Sequence, residues 1–399
     1  MKKEKLIIIF TVLVDVIGFG IVIPILPFYA TELGANPSTV TFLFASYSLC
    51  AFFSAPLLGA VSDKIGRRPV LILSIASTAI GWFVFASAYA IPILFLGRII
   101  DGAAAGNFSI AQSYLVDISE SEEERTVNLG LIGAMFGIGF TLGPIIGGAL
   151  AKISHATPFW FTGGLATINT IMAFFFLPET HYHRDAGRRL NLNPLRPLQR
   201  AIGDKELRPL YVTWVMFGLA NVTSQSVFSL FVSREFRFDA FVTGLTFTGM
   251  GVIVAINQAV LLKRLWLKYF KEAALEKIML WALIIGVGLF LTRSLILFII
   301  ATLFIGTGQS VLRVVLTSQV AGTADPQSKG EKLGMLSSLM SICMVLGPVF
   351  SGPLFELSDL YPYYLSAVYL VLGLIMTYRY SRKEMRNAAV APSDVSVEH

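Results

Sequence analysis

Polar positions fall in clusters along the chain, and between them run apolar stretches of some twenty residues. A hydrocarbon layer of about 30 Å is crossed by about 20 residues of α-helix. Twelve stretches approach or exceed that length: 6–28, 38–61, 70–89, 91–117, 127–151, 157–177, 208–233, 240–262, 277–292, 294–320, 332–355 and 360–380. None has the alternating polarity of a membrane β-strand. The pattern therefore predicts an all-α, polytopic membrane protein with twelve transmembrane helices.

Composition agrees. Of 399 residues, 55% are hydrophobic and 14% charged, against about a quarter charged in soluble domains, and the mean hydropathy is +0.71. These values exclude a disordered chain, a collagen and a secreted disulfide scaffold. Cys50 and Cys343 lie in different spans and different halves, so no disulfide framework is expected. His181 and His183 form an HxH with no third ligand nearby in sequence, and no metal role is assigned to them. The first apolar stretch is too long, and lacks the small-residue cleavage site, for a removed signal peptide.

Charge sets the orientation, because basic loops stay in the cytoplasm. With both termini inside, cytoplasmic segments hold 25 of the 31 basic residues. The net charge of +6 is scattered over many short loops. That is the charge distribution of a multi-pass cell-membrane protein (inner or plasma membrane), and it argues against nucleic-acid binding.

The longest polar connection, residues 179–207, divides the spans into two sets of six. A gapless shift of 204 residues superposes Gly102 on Gly306, Leu129 and Gly130 on Leu333 and Gly334, Gly143 and Pro144 on Gly347 and Pro348, and Gly148 on Gly352. Such a repeat is the sequence trace of transporters that bind substrate between two halves. The expected organisation is two pseudo-symmetric six-helix bundles: residues 1–178, a cytoplasmic central loop over 179–207, a second bundle over 208–380 and a cytoplasmic tail over 381–399. Gly133, Gly137 and Gly147 or Gly148 recur at near-helical spacing, which predicts close helix packing, and Pro144 is expected to bend its span.

Few charges lie inside the spans. A carboxylate at the depth of Asp15 costs about 2.5–3.5 kcal/mol on insertion scales, so it must be paired, hydrated or protonated. It serves either proton exchange or substrate contact, or else a packing hydrogen bond to a Ser or Thr. Arg98 and Asp101, three residues apart, share a helix face with Ala105, Phe108 and Gln112. They are either a structural ion pair or a pair whose protonation frees Arg98 for an anion. Spans three and nine, as bounded above, carry no acidic residue.

In the second half, Trp214, Phe217, Asn221, Gln225 and Phe228 line one face of span seven. Gln309, Arg313 and Thr317 align on span ten, and Asn257 and Gln258 add amides in span eight. Aromatic walls with a few amides suit amphipathic ligands, although such stripes also serve packing. Gln112, Phe217, Asn221, Gln225, Phe228, Gln309 and Arg313 are the candidate substrate contacts. Arg313 either snorkels toward the cytoplasm or favours anionic substrates.

Four motifs in chain order carry a resemblance. GAVSDKIGRRPVL (59–71), with Gly59, Asp63, Gly66, Arg67 and Arg68, resembles the loop between helices two and three of the major facilitator superfamily. LGRIIDGAAAG (96–106) is similar to its span-four arginine motif. GIGFTLGPIIGG (137–148), with Gly139, Gly143, Pro144, Gly147 and Gly148, is similar to its antiporter motif. LVDVIGFGIVIPILP (13–27) resembles the first helix of the twelve-helix drug:proton antiporters, particularly the tetracycline-efflux branch. The shifted counterpart of the signature loop, KRLWLKYFKEAAL (263–275), is basic but lacks the motif.

The resemblance implies proton coupling through Arg98; Asp15 and Asp101 join it as candidates because they are carboxyls inside the spans, Asp101 not being a fixed position of the span-four motif. It also implies a cytoplasmic gate in which Asp63, Arg67 and Asp117 latch the halves together against the N-terminal end of span eleven. The acidic run SESEEER (119–125) reads as a solvated loop and helix cap. No GxxxxGK[ST] loop exists for ATP, and no catalytic constellation suggests an enzyme. The expectation is a secondary transporter of small molecules, exporting hydrophobic or amphipathic compounds by alternating access, driven by the proton gradient without a cofactor and functional as a monomer. A uniporter or proton symporter for a sugar-like or anionic metabolite is the alternative.

Overall fold

The computed structural model describes residues 3–180, 196–204, 206–323 and 328–390, so His181 and His183 lie outside the described residues. Twelve helical segments among the described residues are long and apolar enough to cross a membrane. Their outward faces carry large bare hydrophobics such as Phe175, Ile296 and Leu303, a surface that only lipid solvates.

In the first half these are α1 (Lys3–Glu32), α2 (Pro37–Ile65), α3 (Arg67–Ala86), the pair α4 (Ile91–Ala103) and α5 (Asn107–Asp117), α6 (Glu122–Ala151) and α7 (Thr157–Phe176). A short α8 (Arg196–Gly203) precedes the second half. There follow α9 (Arg208–Phe236), α10 (Ala240–Ile256) continued by π-helix Asn257–Trp266 and α11 (Leu267–Tyr269), α12 (Glu272–Phe290), α13 (Leu295–Gly322), α14 (Lys329–Leu357) and α15 (Tyr361–Val390).

Local chemistry sets the ends. Asn36 caps α2 by accepting from Thr39 N, with Pro37 at the first helical position. Ser121 caps α6 by accepting from Glu124 N, while Glu124 accepts from Glu120 N, so the acidic run is a reciprocal cap. Asp239 caps α10 through Val242 N at 2.8 Å.

Three predicted spans differ in form. Span four breaks at Ala104–Gly106, because the small residues there let α2 press in: a Cβ on Gly102 would stand 2.7 Å from Tyr47 O, and one on Gly106 2.8 Å from Leu58 Cβ. Span eight leaves α-geometry at Asn257, whose side chain donates to Ile253 O and Thr307 Oγ1 and accepts from Trp266 Nε1. Span nine starts at Glu272, five residues before its predicted boundary, and so brings the buried Glu276 into the bundle.

Within the first half, α1 packs on α6 and α7, and α3 on α4 and α7; within the second, α9 packs on α14 and α15, and α12 on α13. Between the halves α2 meets α14 and α6 meets α10. These cross-half contacts lie toward the face away from the termini. Ser38 N donates to Glu356 Oε1 at 3.0 Å, and Thr248 Oγ1 to Thr141 O at 3.2 Å. Toward the face carrying the termini, a Cβ on Gly130, Gly133, Gly137, Gly330 or Gly334 would meet no atom within 4 Å. The two halves are shut at one face and parted at the other.

Candidate functional site

The first half gathers its intramembrane charges into one cluster. Asp15 on α1 accepts from Asn107 Nδ2 at 3.2 Å, and the same amide donates to Thr78 Oγ1 on α3 at 3.3 Å. Arg98 NH1 meets Asp101 Oδ2 at 3.1 Å, both buried. The Arg98 guanidinium lies 4.2 Å from the centroid of the Tyr47 ring and 5.6 Å from that of Trp82, an arrangement in which ring quadrupoles stabilise a desolvated cation. Close approach of α3 and α4 seats the pair: a Cβ on Gly81 would stand 2.9 Å from Asp101 N, and one on Gly97 2.8 Å from Phe85 N.

The break after α4 swings Asn107 into this cluster and removes the continuous face predicted through Phe108 and Gln112. Phe108 instead stands edge-on to Phe136, with centroids 5.2 Å apart. Asn107, Tyr47, Thr78 and Trp82 were not singled out by sequence. Arg98 Nε and Asn107 Oδ1 have no partner among the described residues, which leaves hydrogen-bonding capacity at the cluster.

The signature loop is a second site. Arg67 pairs with Asp63, donates through NH1 to Ser62 Oγ at 2.8 Å and through Nε to Asp117 Oδ2 at 3.1 Å. Arg68 donates to Phe174 O at 2.7 Å. Glu179, the first residue of the central connection, accepts from Arg67 N at 2.9 Å and Arg68 N at 3.3 Å, capping α3. Gly66 has φ 115°, and the Glu179 carboxylate fills the space a Cβ would need. Gly59 faces Ser109 Oγ. These partners lie in the first half or, for Glu179, at the start of the central connection, so the loop makes none of its described contacts with α14.

The glycines of α6 divide by face. A Cβ on Gly139, Gly143 or Gly147 would press on Val16, Ile17 O or Ile21 of α1, and one on Gly148 on the Phe241 backbone of α10. Pro144 O faces Gly244 of α10. Gly133 and Gly137, expected to pack, face open space; the stripe at four-residue spacing is the one that seats α1.

In the second half a pocket is lined by Phe217, Asn221, Gln225, Phe228 and Gln309 of the predicted set, together with Ser224, Phe247, Met250, Phe290 and Tyr363. Gln112 and Arg313 do not line it. Gln112 sits on α5 in the other half, and Arg313 is exposed one turn beyond Gln309 on α13. Trp214 is a packing residue, donating to Leu336 O at 2.9 Å. Asn257 is consumed by the π-helical turn, and Gln258 is exposed.

Twelve apolar helices in two repeat-related sets, closed against each other at one face and parted at the other, with a charged cluster in one set and an amphipathic pocket in the other, define a membrane transporter. The chain belongs to the Major Facilitator Superfamily, whose sequence profile matches residues 8–275. It is 29% identical over 367 residues to the class C tetracycline resistance protein of Escherichia coli, covering 90% of this chain and 91% of that one. To the quinolone resistance protein NorA of Staphylococcus aureus it is 26% identical over 379 residues, covering 94% and 96%. Among solved structures, the human organic anion transporter MFSD10 (TETRAN) superposes with a TM-score of 0.67 at 24% identity, covering 94% of this chain and 99% of that one. A bacterial homologue of the human lysosomal transporter Spinster, in an inward-facing and unoccupied conformation, gives 0.78 at 14% identity, covering 96% and 97%. The two structures share the fold.

Proposed function

We propose that this transporter is a proton-coupled antiporter that exports amphipathic, aromatic compounds across the cell membrane. With the basic loops inside, the parted face opens to the cytoplasm and the conformation is inward-open. The observation that carries the reading is the division of labour between the halves: the first holds a hydrogen-bonded carboxyl, Asp15, beside the Arg98–Asp101 pair, and the second holds an aromatic pocket with amides. The drug-resistance relatives support an outward direction.

The two bundles are the moving bodies. Substrate enters the pocket from the cytoplasm, and the halves then close over the parted face, with Arg67, Asp63 and Asp117 turned toward α14. Asp15 takes a proton from outside and releases it inside after return. The carboxyl can bind a proton in one state and give it up in the other because closing one face and opening the other changes the side from which water reaches it. The proton gradient suffices as the energy source, and one chain holds every group required.

The test is purified protein in liposomes with an internal pH dye, challenged by a panel of aromatic compounds. Substrate-linked proton movement is expected in the wild type and absent in Asp15→Asn, with substrate exchange at equal pH retained. Unchanged proton flux in Asp15→Asn would overturn the coupling role. The exposed Arg313 on the Gln309 face favours one competing reading, uniport or symport of an anionic metabolite; in the same assay it gives anion exchange without proton counter-movement.

A further inference from the structure

A residue that lines the pocket of the second half carries a buried polar atom with no partner among the described residues. Tyr363 stands in the first turn of α15, 2% exposed. Its ring stacks on Phe290, with centroids 5.6 Å apart and planes at 29°, and meets Phe231 edge-on at 5.0 Å. Tyr363 lines the pocket, and its hydroxyl has no hydrogen-bond partner among the described residues.

Burying a hydroxyl without a partner is unfavourable, and buried tyrosines ordinarily satisfy theirs. The rings it meets, Phe231 and Phe290, would accept a phenylalanine of the same shape. Packing alone therefore does not account for a tyrosine. No charged side chain lines the pocket among the described residues; its polar lining residues are Asn221, Gln225, Gln309, Ser224 and Tyr363. Such a lining penalises a formal charge and rewards a flat, neutral ring system with hydrogen-bonding groups at its edge.

We infer that the Tyr363 hydroxyl donates a hydrogen bond to a carbonyl-type acceptor on a planar, uncharged aromatic compound held among Phe228, Phe247 and Phe290, and that this bond sets the pocket's specificity. The inference rests on the proposal above that this pocket binds substrate. A site built to hydrogen-bond one ligand atom discriminates against the analogue that lacks it, because its own polar group is then left unpaired.

The experiment is equilibrium dialysis of the full chain in lipid nanodiscs, with empty nanodiscs as the partition control, using acridone, which carries a ring carbonyl, and anthracene, which does not. Tyr363→Phe is expected to raise the Kd for acridone about threefold to tenfold while leaving that for anthracene unchanged. Its thermal unfolding temperature without ligand should equal or exceed that of the wild type, because an unpaired hydroxyl has been removed. Equal weakening for both compounds would make Tyr363 a packing residue and overturn the inference. Unchanged acridone binding in Tyr363→Phe, with weakening in Phe217→Ala and Gln225→Leu, would overturn the hydroxyl's role and leave the pocket standing. Acridone binding indifferent to all three substitutions, or absent from the wild type, would remove the pocket reading and this inference with it.

Discussion

The Arg98–Asp101 pair shows how burial turns a charge into a constraint. Truncating one partner of a buried pair leaves the other uncompensated, typically at about 3–5 kcal/mol, whereas replacing both by apolar residues is often tolerated. Arg98→Ala is therefore expected to lower the thermal unfolding temperature sharply, and the double variant Arg98→Met with Asp101→Leu to restore it. If the pair takes part in coupling, the restored protein still fails in the pH-dye assay; full transport by the double variant would make the pair purely structural. Asn107 has a narrower role, since one amide nitrogen serves both Asp15 and Thr78. Asn107→Ala should cost about 1–3 kcal/mol through the unpaired groups it leaves and slow proton-linked transport about tenfold, read in the same liposomes. Asp15, Arg98 and Asp101 were legible in sequence because a charge within an apolar span is conspicuous. Asn107, Tyr47 and Thr78 were not, because uncharged polar side chains recur throughout the spans and only packing decides which of them meet.

At the scale of elements, the same residue type has opposite consequences on two faces of α6. A Cβ on Gly143 would stand 2.8 Å from Ile17 O, and one on Gly133 meets nothing within 4 Å. Gly143→Leu is expected to separate α1 from α6 and to lose folded protein in detergent, while Gly133→Leu keeps the wild-type unfolding temperature. Comparable destabilisation by both would show that the close approach at Gly143 is unimportant. The ninth span teaches a related lesson: hydropathy placed its start at 277, because charges beyond that point read as loop. The helix continues to Glu272, where Glu276 is buried and accepts from Thr377 of α15 at 2.5 Å. A carboxylate that finds a neighbouring hydroxyl can sit inside a bundle that a transfer scale would deny it. The interruption after α4 escaped hydropathy for the converse reason: a run of alanines and glycines is apolar whether or not it is helical.

Across the whole molecule, the repeat explains how one face is shut. Gly148 and Gly352 are related by the 204-residue shift, and so are their neighbours in the opposite half, Phe241 and Pro37. A Cβ on Gly148 would stand 3.0 Å from the Phe241 backbone, and Gly352 admits the start of α2 at Pro37, Ser38 and Thr41. Two symmetry-related helix pairs thus meet without intervening side chains, and the Glu356 carboxylate accepts from the first-turn amide of α2 beside one of them. Gly352→Leu is expected to pry this face open and favour the opposite conformation. The readout is alkylation of a cysteine at Thr41 by an impermeant maleimide, which should rise severalfold; an unchanged rate would show that the face stays closed without this contact.

The sequence by itself determined the twelve spans, the internal repeat and the family, because each depends on transfer free energy and on spacing along one chain. It also exposed the few charges that the membrane tolerates only with a partner. The tertiary structure decided what those partners are, which glycine stripe seats a helix, which face is closed and which buried hydroxyl lacks a partner among the described residues. These depend on contacts between residues as far apart as Asp15 and Asn107, or Ser38 and Glu356. No local pattern encodes such pairs, because their energies arise only when separate helices are brought to within a hydrogen bond of one another.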